Sequence, residues 1–113
     1  MPKSREGEPS ESQILRVAGL SLDVGVRQVT VRGETHRLTP KECRLLEVFM
    51  RNPGRVLTRK FLMKEVWETS YLGDTRTLDV HVCWLRRKIE EDPRNPVLLR
   101  TLRGAGYRFG GSE

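Results

Sequence analysis

The chain has 113 residues, with 21 lysines and arginines against 15 acidic side chains, and 36% of it is apolar, enough for one small core. Its net charge of +6 and pI near 9.9 favour polyanionic partners, although ordinary basic soluble proteins reach similar values. No apolar run approaches the roughly 18 to 20 residues of a membrane-spanning helix, and the start Met1-Pro-Lys-Ser-Arg-Glu6 lacks a signal peptide's apolar stretch, so the expectation is a soluble cytoplasmic protein with no membrane role.

Residues 1–13 carry Lys, Glu, Ser, Pro and Gly and, beyond Met1, no large apolar side chain. Such a segment buries too little surface to offset the entropy of ordering, so it is expected to be a flexible polar tail or linker. One folded domain is expected over 14–110. The runs Val17 to Asp23, Gln28 to Arg32 and His36 to Leu38, separated by Gly25 and Gly33, alternate in the way of a small antiparallel sheet. Thr39-Pro40-Lys41-Glu42 then opens a helix: Thr39 caps, Pro40 fits the first turn, and Glu42 completes a capping box. Leu45, Leu46, Phe49 and Met50 continue that helix and Asn52-Pro53-Gly54 stops it. Thr58 caps a second helix carrying Phe61, Leu62, Val66 and Trp67, which ends near Trp67.

After a loop from Glu68 to Asp74, a basic helix begins around Thr75. Leu78, Val82, Leu85 and Ile89 recur at i, i+4, i+7 and i+11, forming one narrow apolar stripe. Arg76, Val80, Cys83, Trp84 and Arg87 point the other way, with His81, Arg86 and Lys88 on the flanks. Cationic, aromatic and methyl groups thus share one surface, which suits a DNA groove. The plainer alternative is a solvated cationic face with a second packing surface around Trp84. Asp92-Pro93 and Asn95-Pro96 end the helix. Val97 to Leu102 and Tyr107 to Phe109 then pair as a hairpin around Arg103-Gly104-Ala105-Gly106.

Cys43 and Cys83 have no CxxC or histidine partner at ligand spacing, so neither a disulfide nor a metal site is expected, and no cofactor either. Cys43 reads as core; Cys83 reads as a small groove-facing residue, with a reactive thiol as the alternative. The acidic side chains are scattered or lie in solvated runs such as Glu90-Glu91-Asp92, without a catalytic pair or triad, so no enzyme is expected. Gly104 to Gly106 resembles a fragment of a phosphate loop, but a lone GxG without strand and helix around it is weak.

Leu38-Thr-Pro-Lys-Glu42, Asn52-Pro-Gly-Arg-Val-Leu-Thr-Arg59, Arg76-Thr-Leu-Asp-Val-His-Val82 and Thr101-Leu-Arg-Gly-Ala-Gly-Tyr-Arg-Phe109 occur in this order. Together they resemble the C-terminal effector domains of OmpR/PhoB-type two-component response regulators, over about Val17 to Phe109. The resemblance implies an α+β winged helix-turn-helix fold: an N-terminal four-stranded antiparallel sheet, a three-helix bundle and a C-terminal β-hairpin wing. It implies sequence-specific binding of double-stranded promoter DNA. By that likeness Val80, Cys83 and Trp84 face bases, while Arg76, Thr77, His81 and Arg86 face phosphates or base edges. Arg103 enters the minor groove, and Arg59, Trp67, Thr101 and Tyr107 touch the phosphate backbone; Arg87 joins the phosphate contacts by its place on the wheel. Tyr71 and Leu72 form a loop that would touch RNA polymerase. A sensor histidine kinase would act through a receiver domain that no doubly wound pattern before Val17 supplies, so the chain reads as an isolated effector half, a monomer alone and a tandem dimer on DNA. It departs from the family pattern at Trp84, where a basic residue often precedes the leucine. Docking to protein or RNA is the rival role.

Overall fold

The computed structural model describes residues 13–70 and 72–110; apart from Gln13, the tail expected over 1–13 lies outside them. Strands β1 (Ile14–Val17), β2 (Leu20–Asp23), β3 (Gln28–Val31) and β4 (Glu34–Arg37) form an antiparallel meander in chain order. The run read as one strand from Val17 to Asp23 is folded back on itself, with Val17 opposite Leu20. Ala18 and Gly19 both take positive φ, 55° and 83°, the twist a two-residue hairpin turn requires. Leu20, Leu22, Val29 and Val31 point into the core from alternate positions, as a sheet with one wet face should.

Helix α1 (Pro40–Met50) starts with the expected capping box: Thr39 Oγ1 accepts from the Glu42 amide at 3.2 Å, and Glu42 accepts from the Thr39 amide at 2.8 Å. Glu42 is only 2% exposed, and its second partner is Lys88 Nζ at 2.8 Å, which also donates to the Arg37 carbonyl. A local cap is therefore also a tie between distant elements, and burial of its charge is offset by that ammonium and the Thr39 amide. Helix α2 (Arg59–Trp67) is capped by Thr58 and ends at Glu68, whose φ is 56°.

Between α1 and α2 lies a short strand that periodicity alone does not reveal, β5 (Val56–Leu57). It pairs with β7 (Gly106–Phe109), which also pairs with β6 (Leu99–Leu102), so the hairpin is part of a three-stranded sheet ordered β5-β7-β6. Helix α3 (Arg76–Ile89) stops before Asp92-Pro93, contrary to the expectation from the prolines. The stop is made by Glu90, extended at φ −90° and ψ 143°. Its carboxylate accepts from the amides of Val97, Leu98 and Leu99 at 2.8 to 3.1 Å. Glu90 is 4% exposed and so does not belong to a solvated acidic run; it seats the first strand of the wing. Twenty-two apolar residues from both sheets and all three described helices join in one core cluster.

Two wing glycines separate strain from clash. A Cβ on Gly104 (φ 78°) would meet nothing, whereas one on Gly106 (φ 140°) would lie 2.1 Å from the Leu57 carbonyl oxygen. Gly104→Ala is expected to cost about 1 kcal/mol from its backbone conformation alone. Gly106→Ala should cost more than about 3 kcal/mol, because β5 must separate from β7; urea midpoints of the two variants would distinguish them.

Candidate nucleic-acid interface

The stripe along α3 docks as its spacing requires. Leu78, Val82, Leu85 and Ile89 are buried, while Val80 is 42% and Trp84 39% exposed on the opposite side with Arg76, Cys83 and Arg87. His81, Arg86 and Lys88 lie half-buried on the flanks. The plainer reading also holds in part, because Trp84 does have a packing partner. Its ring centroid lies 4.9 Å from that of His81, which also meets the Trp67 indole edge-on at 5.1 Å. Trp67 in turn packs against the core. Cys43 is buried, and burial first, then the charge of Glu47, pushes its thiol pKa up, as suits an inert core residue. Cys83 is an exposed thiol.

The first turn of α3 is tied down by a residue that the sequence reading passed over. Asp79 accepts Arg59 Nη1 at 2.8 Å and Nη2 at 3.0 Å, a bidentate pair, and the Tyr107 hydroxyl at 2.6 Å. Arg59 Nη2 also donates to the Thr75 hydroxyl and carbonyl. Arg59 and Tyr107, both expected at the phosphate backbone, are thus engaged inward, and Tyr107 is buried. A phosphate would have to compete with Asp79 for either donor. A lone acid one turn after Arg76 in an otherwise basic helix was the available signal for this partner.

The other expected site residues divide by what they touch. Arg86 donates to the Leu99 carbonyl at 2.9 Å and to Thr101 Oγ1 at 2.8 Å, with its guanidinium 5.9 Å from the Tyr107 ring centroid. Arg86 and Thr101 therefore join α3 to the wing. Thr77 is half-buried, and its carbonyl lies 2.8 Å from His81 Nδ1. Arg76 is exposed and forms a bidentate pair with Asp74, which also accepts the Arg76 amide. Hydrogen bonding by Arg76 lowers the Asp74 pKa to about 2. Arg87 and Arg103 are exposed and make no hydrogen bond or ion pair with another described residue. Leu72 is 46% exposed; Tyr71 lies outside the described residues. No described group of histidine, cysteine and acidic side chains is arranged to hold a metal ion, and no described helix is long and apolar enough to cross a membrane.

Hydrogen bonding from Arg59, followed by that from Tyr107, holds the Asp79 carboxyl below its ordinary range against the opposing effect of burial. A depressed folded-state pKa stabilises the protein above the unfolded value, near 3.9, and that contribution is lost as pH falls through the lower folded value. Asp79→Asn should therefore cost about 1 kcal/mol at pH 7, a figure kept small because the pair is partly solvated. The gap to the parent protein should narrow below about pH 4. Thermal unfolding of both proteins at pH 7 and in acid checks this; an unchanged gap would mean that the charge of Asp79 contributes nothing.

The family of transcriptional regulatory protein C-terminal domains matches residues 33–109. A probable transcriptional regulatory protein of Picosynechococcus sp. is 58% identical over 83 residues, 74% of this chain and 33% of that relative. The sensory transduction protein RegX3 of Mycolicibacterium smegmatis is 52% identical over 102 residues, 90% of this chain and 45% of the relative. The chain thus spans less than half the length of either. Among solved structures, the DNA-binding domain of Klebsiella pneumoniae RstA, in complex with the RstA box, aligns with a TM-score of 0.77 at 28% identity, covering 87% of this chain and 97% of that one. The chain belongs to this family of regulators, not enzymes, and is a DNA-binding effector domain of the OmpR/PhoB response-regulator type.

Proposed function

We propose that this chain is the promoter-reading half of a phosphorelay-controlled transcription factor, and that 14–110 is its folding unit. One observation carries the reading. The surface of α3 opposite its core stripe exposes Arg76, Val80, Cys83, Trp84 and Arg87 together, and Arg103 is exposed at the tip of the neighbouring wing. In this reading α3 lies in the major groove with Val80, Cys83 and Trp84 toward base edges. Arg76 and Arg87 lie toward phosphates or base edges, Thr77, His81 and Arg86 do so from the flanks while held by their contacts within the fold, and Arg103 enters the minor groove. Thr101, Arg59, Trp67 and Tyr107 complete the backbone contacts, with Arg59 and Tyr107 acting through Asp79 before they meet a phosphate.

The length of the relatives supports a receiver domain elsewhere in the parent protein, addressed by a sensor histidine kinase. The loop at Tyr71 and Leu72 is assigned to RNA polymerase. The domain is a monomer alone and pairs in tandem on direct repeats. A protein- or RNA-docking role would leave the cationic face of α3 unexplained.

Selection from random duplex DNA should return a half-site repeated in the same direction about 10 to 11 base pairs apart. No enrichment, or equal affinity for single-stranded RNA, would overturn the reading. On the selected duplex, Arg103→Ala should lose affinity mainly where the flank is A·T-rich, since a narrow minor groove attracts arginine. Arg87→Ala should weaken all sequences alike and reduce the salt slope by about one. Titrations at two salt concentrations separate the two effects.

A further inference from the structure

Val80 and Trp84 are one turn apart on the reading face of α3 and are its two large exposed apolar side chains. With Cys83 beside them, the middle of that face offers little charge. The indole has a single N–H donor, and a single donor cannot distinguish guanine from adenine, because both present N7 in the major groove. Information at this position must therefore come from shape and apolar contact. The apolar feature on the major-groove floor is the methyl at pyrimidine C5, carried by thymine and by 5-methylcytosine.

The indole is also held in place. His81 Nδ1 lies 2.8 Å from the Thr77 carbonyl; because a carbonyl only accepts, Nδ1 carries the proton and the ring orientation is set. That ring lies 4.9 Å from the Trp84 ring with planes tilted by 52°, and 5.1 Å from the Trp67 ring, edge-on at 81°. A three-ring cluster anchored on the core by Trp67 thus limits the swing of Trp84, and a preorganised aromatic surface loses little entropy when a methyl covers it.

From this arrangement we infer that Trp84, with Val80, reads the C5 methyl of a pyrimidine in the half-site, and that His81 is a positioning residue for the indole. The inference rests on the DNA-reading role proposed above. It makes 5-methylcytosine a second ligand chemistry: a C·G pair at that position becomes a better one when methylated.

The test uses the selected duplex with the pair at each thymine varied among T·A, deoxyuridine·A, 5-methylcytosine·G and C·G. The expected result at one or two positions is about fourfold tighter binding with the methyl than without it, the scale of burying one methyl-sized group. The ratio should be alike for T over deoxyuridine and for 5-methylcytosine over cytosine. Trp84→Ala should erase both ratios, His81→Ala should shrink them, and His81→Phe, which keeps a ring but loses the tether to the Thr77 carbonyl, should restore them in part. Equal binding of thymine and deoxyuridine duplexes at every position, with overall affinity intact, would overturn the inference while leaving DNA reading in place. Ratios that survive Trp84→Ala would overturn the assignment to Trp84. Absence of binding to any duplex would instead overturn the reading beneath it, and this inference with it. Since the thymine-to-deoxyuridine series needs only the parent protein, a variant that fails to fold does not remove the test.

Discussion

The carboxylate of Asp79 is where α2, α3 and the wing meet, and it fixes the first turn of α3 against both neighbours. Ion pairs at a surface generally contribute little, because water screens them and two long side chains must be immobilised. This one differs in geometry. Arg59 presents its fork to both oxygens, and the Tyr107 hydroxyl joins them from a buried ring. That ring lies edge-on to Phe49 of α1 at 6.4 Å. Movement of α3 against the wing would therefore disturb a core contact as well as a charge pair. The same guanidinium holds Thr75, whose own side chain makes no cap hydrogen bond, so the start of α3 is secured from α2.

The far end of α3 is secured by different chemistry. Arg32 donates to the Ile89 carbonyl at 3.0 Å, Lys88 reaches Glu42, and Glu90 collects three backbone amides of the segment entering β6. Two buried carboxylates thus do structural work in a basic protein, and the cations are divided accordingly. Lys88, Arg59 and Arg86 are spent within the fold, and Arg76 is paired with Asp74. The +6 net charge therefore overstates what faces a ligand. Of the expected arginine contacts, Arg87 and Arg103 stand without a described partner, so fewer cations are unpaired on this surface than composition implies.

Local rules carried far in this sequence. The capping box at Thr39, the stripe from Leu78 to Ile89 and the glycine-tipped hairpin each depend on neighbours within a turn or two, and each appears where those neighbours place it. What was not legible depends on residues far apart in sequence. Strand β5 is two residues long and exists because β7 lies beside it. The end of α3 is decided by amides seven to nine residues ahead of Glu90 rather than by the nearby prolines. Asp79 could be placed on a helix, but nothing local says that a guanidinium 20 residues earlier and a phenol 28 residues later converge on it. The Ala18-Gly19 turn was missed for another reason: an alanine at positive φ gives little composition signal.

The same division bears on what a tryptophan at position 84 can do on the surface proposed to meet DNA. An arginine there would bring its own charge and two donors, and its reach would tolerate imprecise seating of the helix. An indole contributes neither charge nor a second donor, so its discrimination rests on being held at a fixed distance from the groove floor. The fold supplies that rigidity twice, through the Asp79 junction that ties the first turn of α3 to α2 and the wing and through the His81–Trp67 contact beside the ring. Replacing charge by shape also moves the source of affinity. Contacts of this kind release few counterions, so recognition at the centre of the site should vary less with salt than recognition at its arginine-bearing edges. In the proposed binding mode the central surface of α3 sorts sequences, while Arg87 holds the domain on the duplex and Arg103 adds a preference for the flank.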